Sequence, residues 1–74
     1  MNADYEKALG CNIRRLRTEK HLSQEQLAAQ LQIRGCDITR SALAKIEVGQ
    51  RHLYPDEIKA LHEILEIGYE EIFV

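Results

Sequence analysis

The apolar positions of the chain fall into five groups with helical spacing. In the first, Leu9, Ile13 and Leu16 recur at i, i+4 and i+7 with Tyr5 one turn earlier, which predicts an amphipathic helix over residues 4–20. The second opens on Ser23-Gln24-Glu25-Gln26. This is the pattern of a capping box, in which the Ser23 hydroxyl accepts from the Gln26 N–H while the Gln26 side chain reaches back to the Ser23 N–H. Leu22 before the cap and Leu27 inside the helix have the spacing of a hydrophobic staple, so a helix is expected from about residue 24. Leu27, Ala28 and Leu31 carry it to Ile33 or Arg34, and Gly35 ends it.

Thr39 is the next N-cap, and Ile38 with Leu43 repeats the staple spacing. A third helix is expected over about 39–48, with Leu43 and Ile46 inward and an end near Gly49. The fourth opens at Tyr54-Pro55-Asp56-Glu57, with proline tolerated in the first turn and two carboxylates where the helix dipole favours them. Its inner stripe is Ile58, Leu61, Ile64 and Leu65. A short last helix follows Gly68 and carries Tyr69, Ile72 and Phe73. No stretch alternates with the period of a strand. The expected architecture is all-α, a compact five-helix bundle forming one domain over 1–74.

Size and composition narrow the classes. A chain of 74 residues hides only roughly 60% of its unfolded surface, enough for one modest core. Arg14, Arg15, Arg17, Glu19 and Lys20 interrupt the first apolar pattern, so neither a membrane span nor a signal peptide is read there and a cytoplasmic protein is expected. Cys11 and Cys36 lack a C-x-x-C spacing and read as two small buried or half-buried thiols in a reducing compartment. His21, His52 and His62 show no ligand spacing, so no metal and no cofactor are expected. No nucleophile–base pair, phosphate-binding glycine loop or paired catalytic carboxylates can be found, which excludes an enzyme.

The net charge of −2 speaks against a nucleic-acid binder if the chain is taken whole. Its distribution speaks otherwise. Residues 1–52 hold nine Lys/Arg and six Asp/Glu, a balance of +3, whereas residues 53–74 hold Lys59 against six acids, a balance of −5. A basic body with an acidic end is a hint of a nucleic-acid face. The basic charge is matched by the outer face of the third helix, where Arg40, Ser41, Ala44 and Lys45 lie together. Arg and Lys donate to guanine O6 and N7, Ser bonds to bases or phosphates, and a small Ala permits close approach and contact with a thymine methyl.

The segments "IRRLRTEKHLSQEQLAAQL", "ITRSALAKIEVGQR" and "LEIGYEEIF" resemble the Cro/repressor-type helix-turn-helix family, the Xre-like or lambda-repressor-like DNA-binding domains, over residues 12–73. The resemblance implies a five-helix bundle and a bacterial or phage regulator, typically a repressor, that binds operator DNA as a homodimer. It places Arg40, Ser41, Ala44 and Lys45 at the base-reading positions. Gln24, Gln50 and Arg51 match phosphate contacts, and Arg14 and Arg34 are further candidates for them. It aligns Arg17 with Glu47 as a partly buried ion pair joining the first helix to the end of the third. The apolar ending Ile72-Phe73-Val74 suggests a dimer patch of Tyr69, Phe73 and Val74.

The sequence also departs from the family. About five extra residues, 34–38, separate the two central helices, and they either lengthen the second helix or form a longer loop that closes over the domain with Ile38. Val48 stands where an asparagine is frequent, and Glu66 occupies a helix-stop position where glycine is common. A competing reading stays open: an antitoxin-like or accessory module of the same fold that grips another protein, in keeping with the low net charge.

Overall fold

The computed structural model describes residues 2–74. It contains five helices: α1 (Ala3–Glu19), α2 (Gln24–Ile33), α3 (Arg40–Glu47), α4 (Pro55–Leu65) and α5 (Tyr69–Ile72). No strand occurs among the described residues, and no helix there is long and apolar enough to cross a membrane. α1 packs on α3 and α5, and α2 packs on α3 and α4.

Local chemistry sets the helix starts. The Asn2 side chain accepts from the Tyr5 N–H at 2.9 Å. Both bonds of the Ser23–Gln26 box form, at 3.0 and 2.8 Å, and Thr39 Oγ1 accepts from the Ala42 N–H at 3.1 Å. At Tyr54 and Gly68 the carboxylates of Glu57 and Glu71 accept from the backbone N–H groups, each at 3.0 Å. Each cap satisfies a donor that the first helical turn would leave without a partner.

The ends of α1 to α4 share one device, a single residue at positive φ that reverses the chain so that later N–H groups fold back on the last carbonyls. Gly35 (φ 86°) and Gly49 (φ 80°) serve α2 and α3, while His21 (φ 59°) and Glu66 (φ 54°) serve α1 and α4. After α2 the Cys36 and Gly35 N–H groups bond Leu31 O and Gln32 O, each at 3.0 Å. After α3 the Gln50 N–H bonds Lys45 O at 2.8 Å.

The core is built from all five helices and from the α2–α3 connection. Ile13, Leu27, Leu31, Ile38, Leu43, Leu61, Leu65 and Ile72 are fully buried, and Leu16, Cys36, Ile46 and Ala60 join them. Each large aliphatic side chain so buried contributes roughly 1.5–3 kcal/mol of transfer free energy. The connection takes the loop form: Ile38 closes over the core, and its carbonyl accepts from Gln32 Nε2 at 2.9 Å. Three expectations are corrected. Tyr5 is 39% exposed and lies outside the core, Ile58 and Ile64 are only partly buried while Ala60 takes a core position, and Cys11 is exposed where a buried or half-buried thiol was expected. Cys36 is the buried thiol; burial first, then the charges of Asp56 and Glu57, push it up, which keeps it protonated and unreactive.

Asn12 is buried on α1, where its amide donates to the Glu71 and Ile72 carbonyls at 2.8 and 2.7 Å and its oxygen accepts from Arg15. This side chain supplies partners for carbonyls that the short α5 would leave unmet.

Candidate nucleic-acid interface

α3 has one buried side and one open side. Leu43 and Ile46 are buried, whereas Arg40, Ser41 and Lys45 are exposed and Ala44 is half-buried. Neither Arg40 nor Lys45 has an ion-pair partner among the described residues. Two cations on a helix face with no carboxylate beside them keep their charge and their donors for an incoming ligand.

The inner side of α3 is fixed by charge as well as by packing. Arg17 Nε donates to Glu47 Oε2 at 2.7 Å and Nη2 to Oε1 at 3.1 Å. The Arg17 and Glu47 side chains are only 9% and 2% exposed. Arg17 Nη1 also donates to the Leu22 carbonyl at 2.7 Å, in the α1–α2 turn. Gln24 Nε2 completes the group by donating to Glu47 Oε1 at 3.0 Å. One carboxylate at the end of α3 therefore gathers α1, the α1–α2 turn and the first residue of α2, and its negative charge is met by three donors. α1 also meets α3 without side chains between them: a Cβ built on Gly10 would lie 2.1 Å from the Ile46 carbonyl oxygen. Gly49 likewise sits against the α1 backbone at Lys7.

The remaining residues singled out from the sequence are spread around this centre. Gln24 is half-buried in the Glu47 network, with its carbonyl oxygen outside those bonds. Gln50 is exposed in the loop after α3. Arg51, in the same loop, forms a two-pronged pair with Glu57, Nη1–Oε1 at 2.9 Å and Nη2–Oε2 at 3.0 Å. Burial pushes the Glu57 carboxyl up, but the hydrogen bonds from Arg51 and Tyr54 and the Arg51 charge outweigh it and hold the carboxyl below its ordinary value. The bond to Glu57 in turn raises the Arg51 guanidinium. Arg14 is exposed on α1. Arg34, exposed in the α2–α3 connection, lies 3.7 Å from Glu63 and donates to Gln30. Tyr69, Phe73 and Val74 are exposed at the far end of the chain, with Tyr69 stacked on His62 at 4.1 Å between ring centroids.

Gly10 and Asn12 were not singled out from the sequence, and Glu57 only as a first-turn acid of the fourth helix. Two of them carried a signal. A glycine inside a helix costs about 1 kcal/mol against alanine and calls for a packing reason, and Asn12 is a polar residue between Leu9 and Ile13 of an apolar stripe.

A buried ion pair between α1 and α3 that holds out the open basic face of α3, beside a capped α2, defines a helix-turn-helix protein. Comparison with known proteins agrees. The helix-turn-helix family model matches residues 13–72, and the chain belongs to this Cro/repressor-type family, whose members are non-enzymatic regulators that bind DNA. No curated protein matches the chain. Among solved structures, the restriction-modification controller protein C.AhdI from Aeromonas hydrophila superposes with a TM-score of 0.82 at 35% identity, covering 96% of each chain. The DNA-binding domain of BldD superposes with a TM-score of 0.83 at 23% identity over 100% of both chains, a likeness of fold.

Proposed function

We propose that the protein is a sequence-specific regulator of transcription, acting as a cytoplasmic repressor, that sets α3 in the major groove of an operator. The observation that carries this reading is the open face of α3: Arg40, Ser41 and Lys45 exposed, and both cations without a carboxylate partner among the described residues. Arg40 and Lys45 donate to base edges, Ser41 bonds a base or a phosphate, and Ala44 lets the helix approach. Gln24 and Gln50, with Arg51, Arg14 and Arg34, meet the phosphates and position the protein without sequence preference, and those phosphates that a free cation neutralises make the affinity salt-dependent. Kinship with a controller protein is in keeping with a regulatory role.

In this reading two copies associate through Tyr69, Phe73 and Val74, whose exposed apolar surface at one end of the bundle suits a two-fold contact. The competing reading, an antitoxin-like or accessory module that grips another protein, draws on the acidic balance of residues 53–74. One experiment separates the two. Duplexes selected from a random pool are titrated at several salt concentrations, and the regulator binds a palindromic site with affinity that falls steeply as salt rises. No duplex affinity at low salt refutes DNA binding, and a non-palindromic site bound by a monomer refutes the dimer.

A further inference from the structure

Glu57 has no part in the reading above, yet it is among the few buried charged residues of the chain. It stands in the first turn of α4 and faces the loop that leaves α3. Its side chain is 8% exposed against 27% for Arg51. Arg51 Nη1 donates to Glu57 Oε1 and, at 2.9 Å, to the His52 carbonyl, while Nη2 donates to Glu57 Oε2. Tyr54 holds the group from another side, with the guanidinium carbon 5.7 Å from its ring centroid. The Tyr54 N–H also donates to Glu57 at 3.0 Å.

A guanidinium carries five N–H donors arranged on two usable edges. Glu57 takes the edge formed by Nη1 and Nη2. The Nε–H and the outer N–H of Nη2 form the second edge and have no partner among the described residues. That edge has the spacing to meet two oxygens of one phosphate. The charge, however, is already matched. Counterion release on DNA binding counts the phosphates that a protein neutralises, and a cation in close contact with a carboxylate neutralises none.

We propose that Glu57 is a positioning residue for DNA binding: it locks Arg51 into a net-neutral pair, so that Arg51 meets a phosphate as an oriented pair of N–H donors and not as a free cation. This rests on the reading that the loop after α3 lies against the DNA backbone. The lowered Glu57 carboxyl agrees with it, since the pair stays fully ionised at neutral pH. Arg51 thereby differs from Arg14, Arg40 and Lys45, which have no acidic partner among the described residues.

The test is duplex binding by fluorescence anisotropy between about 50 and 200 mM salt, the span over which phosphate contacts are read. Glu57→Gln keeps an oxygen for Tyr54 and Arg51 and removes the charge. The slope of log K against log salt is expected to steepen by about 0.9. The variant binds more tightly than the wild type at the low end, and its advantage shrinks about 3.5-fold by the high end. An unchanged or shallower slope overturns the proposal. Gln50→Lys places a free cation in the same loop and should steepen the slope equally. If it does and Glu57→Gln does not, the proposal fails while the loop keeps its place on the backbone. If neither steepens the slope, the loop does not face phosphates and both fall. Arg51→Met combined with Glu57→Gln removes both charges and guards against misfolding of the single variant. It keeps the wild-type slope if the pair is neutral, and a slope shallower by about 0.9 overturns the proposal.

Discussion

Glu47→Ala is expected to destabilise the fold by about 3–5 kcal/mol, because it leaves the Arg17 guanidinium buried without a counter-charge. The geometry puts the pair at the upper end of what ion pairs do. Arg17 and Glu47 meet through two N–H···O bonds at 2.7 and 3.1 Å, and neither side chain is more than 9% exposed. A surface pair such as Arg15–Glu19, with both side chains more than half exposed, contributes about 0–1 kcal/mol at most. For a domain of 74 residues total stability is of order 4–11 kcal/mol at typical per-residue values, so the loss removes a large share of it. Urea unfolding should show a lower midpoint with little change in slope. Replacing both partners, Arg17→Met with Glu47→Leu, is expected to recover most of the loss, since no charge is left stranded. A single variant as stable as the wild type would mean that water reaches the pair and screens it. Because Gln24 hangs on the same carboxylate, Glu47→Ala should also loosen the start of α2 relative to α3 and weaken DNA binding by the folded fraction.

Gly10→Ala should cost about 1–3 kcal/mol, the range for inserting a methyl where there is no room. Propensity alone predicts the opposite sign, since alanine in a helix is favoured over glycine by about 1 kcal/mol. Sterics decide. The added carbon would lie 2.1 Å from the Ile46 carbonyl oxygen and 2.9 Å from the Glu47 carbonyl carbon and oxygen. All of these are backbone atoms of the α3 terminus, so no rotamer change relieves the contact and the two helices must part. Gly35→Ala is the control. Gly35 has φ 86° with nothing within 4 Å of a built Cβ, so alanine there costs about 1–2 kcal/mol of backbone strain without moving α3. Both variants are less stable, but only Gly10→Ala is expected to lower the affinity of the folded protein for its operator. A Gly10→Ala protein as stable as the wild type, or one that binds unchanged, would show that α1 does not set the position of α3.

Much of the fold was legible because its signals are local. The Ser23–Gln26 box, the Thr39 cap, Pro55 in a first turn and Gly35 and Gly49 at helix ends act within one or two turns of chain, and each formed where the pattern placed it. The open face of α3 was legible for the same reason, whereas the Arg17–Glu47 pair, 30 residues apart, was legible only because the family resemblance aligned it. What escaped depends on partners far away in sequence. Asn12 meets carbonyls 59 and 60 residues away, and the need for Gly10 is visible only from the end of α3. His21 was missed because a residue other than glycine at positive φ is uncommon. Arg51 reads from the sequence as a phosphate contact, and its partner within the chain is not visible there: Glu57, which the sequence offers as a first-turn acid of the fourth helix, also takes one edge of the guanidinium.

The most direct measurement is the affinity of wild type, Arg40→Ala and Lys45→Ala for a selected operator and for random duplex at one salt concentration. If α3 reads bases, each variant loses about 1–3 kcal/mol on the operator and far less on random DNA, so discrimination falls. Equal losses on both duplexes would contradict the account and leave Arg40 and Lys45 as phosphate contacts.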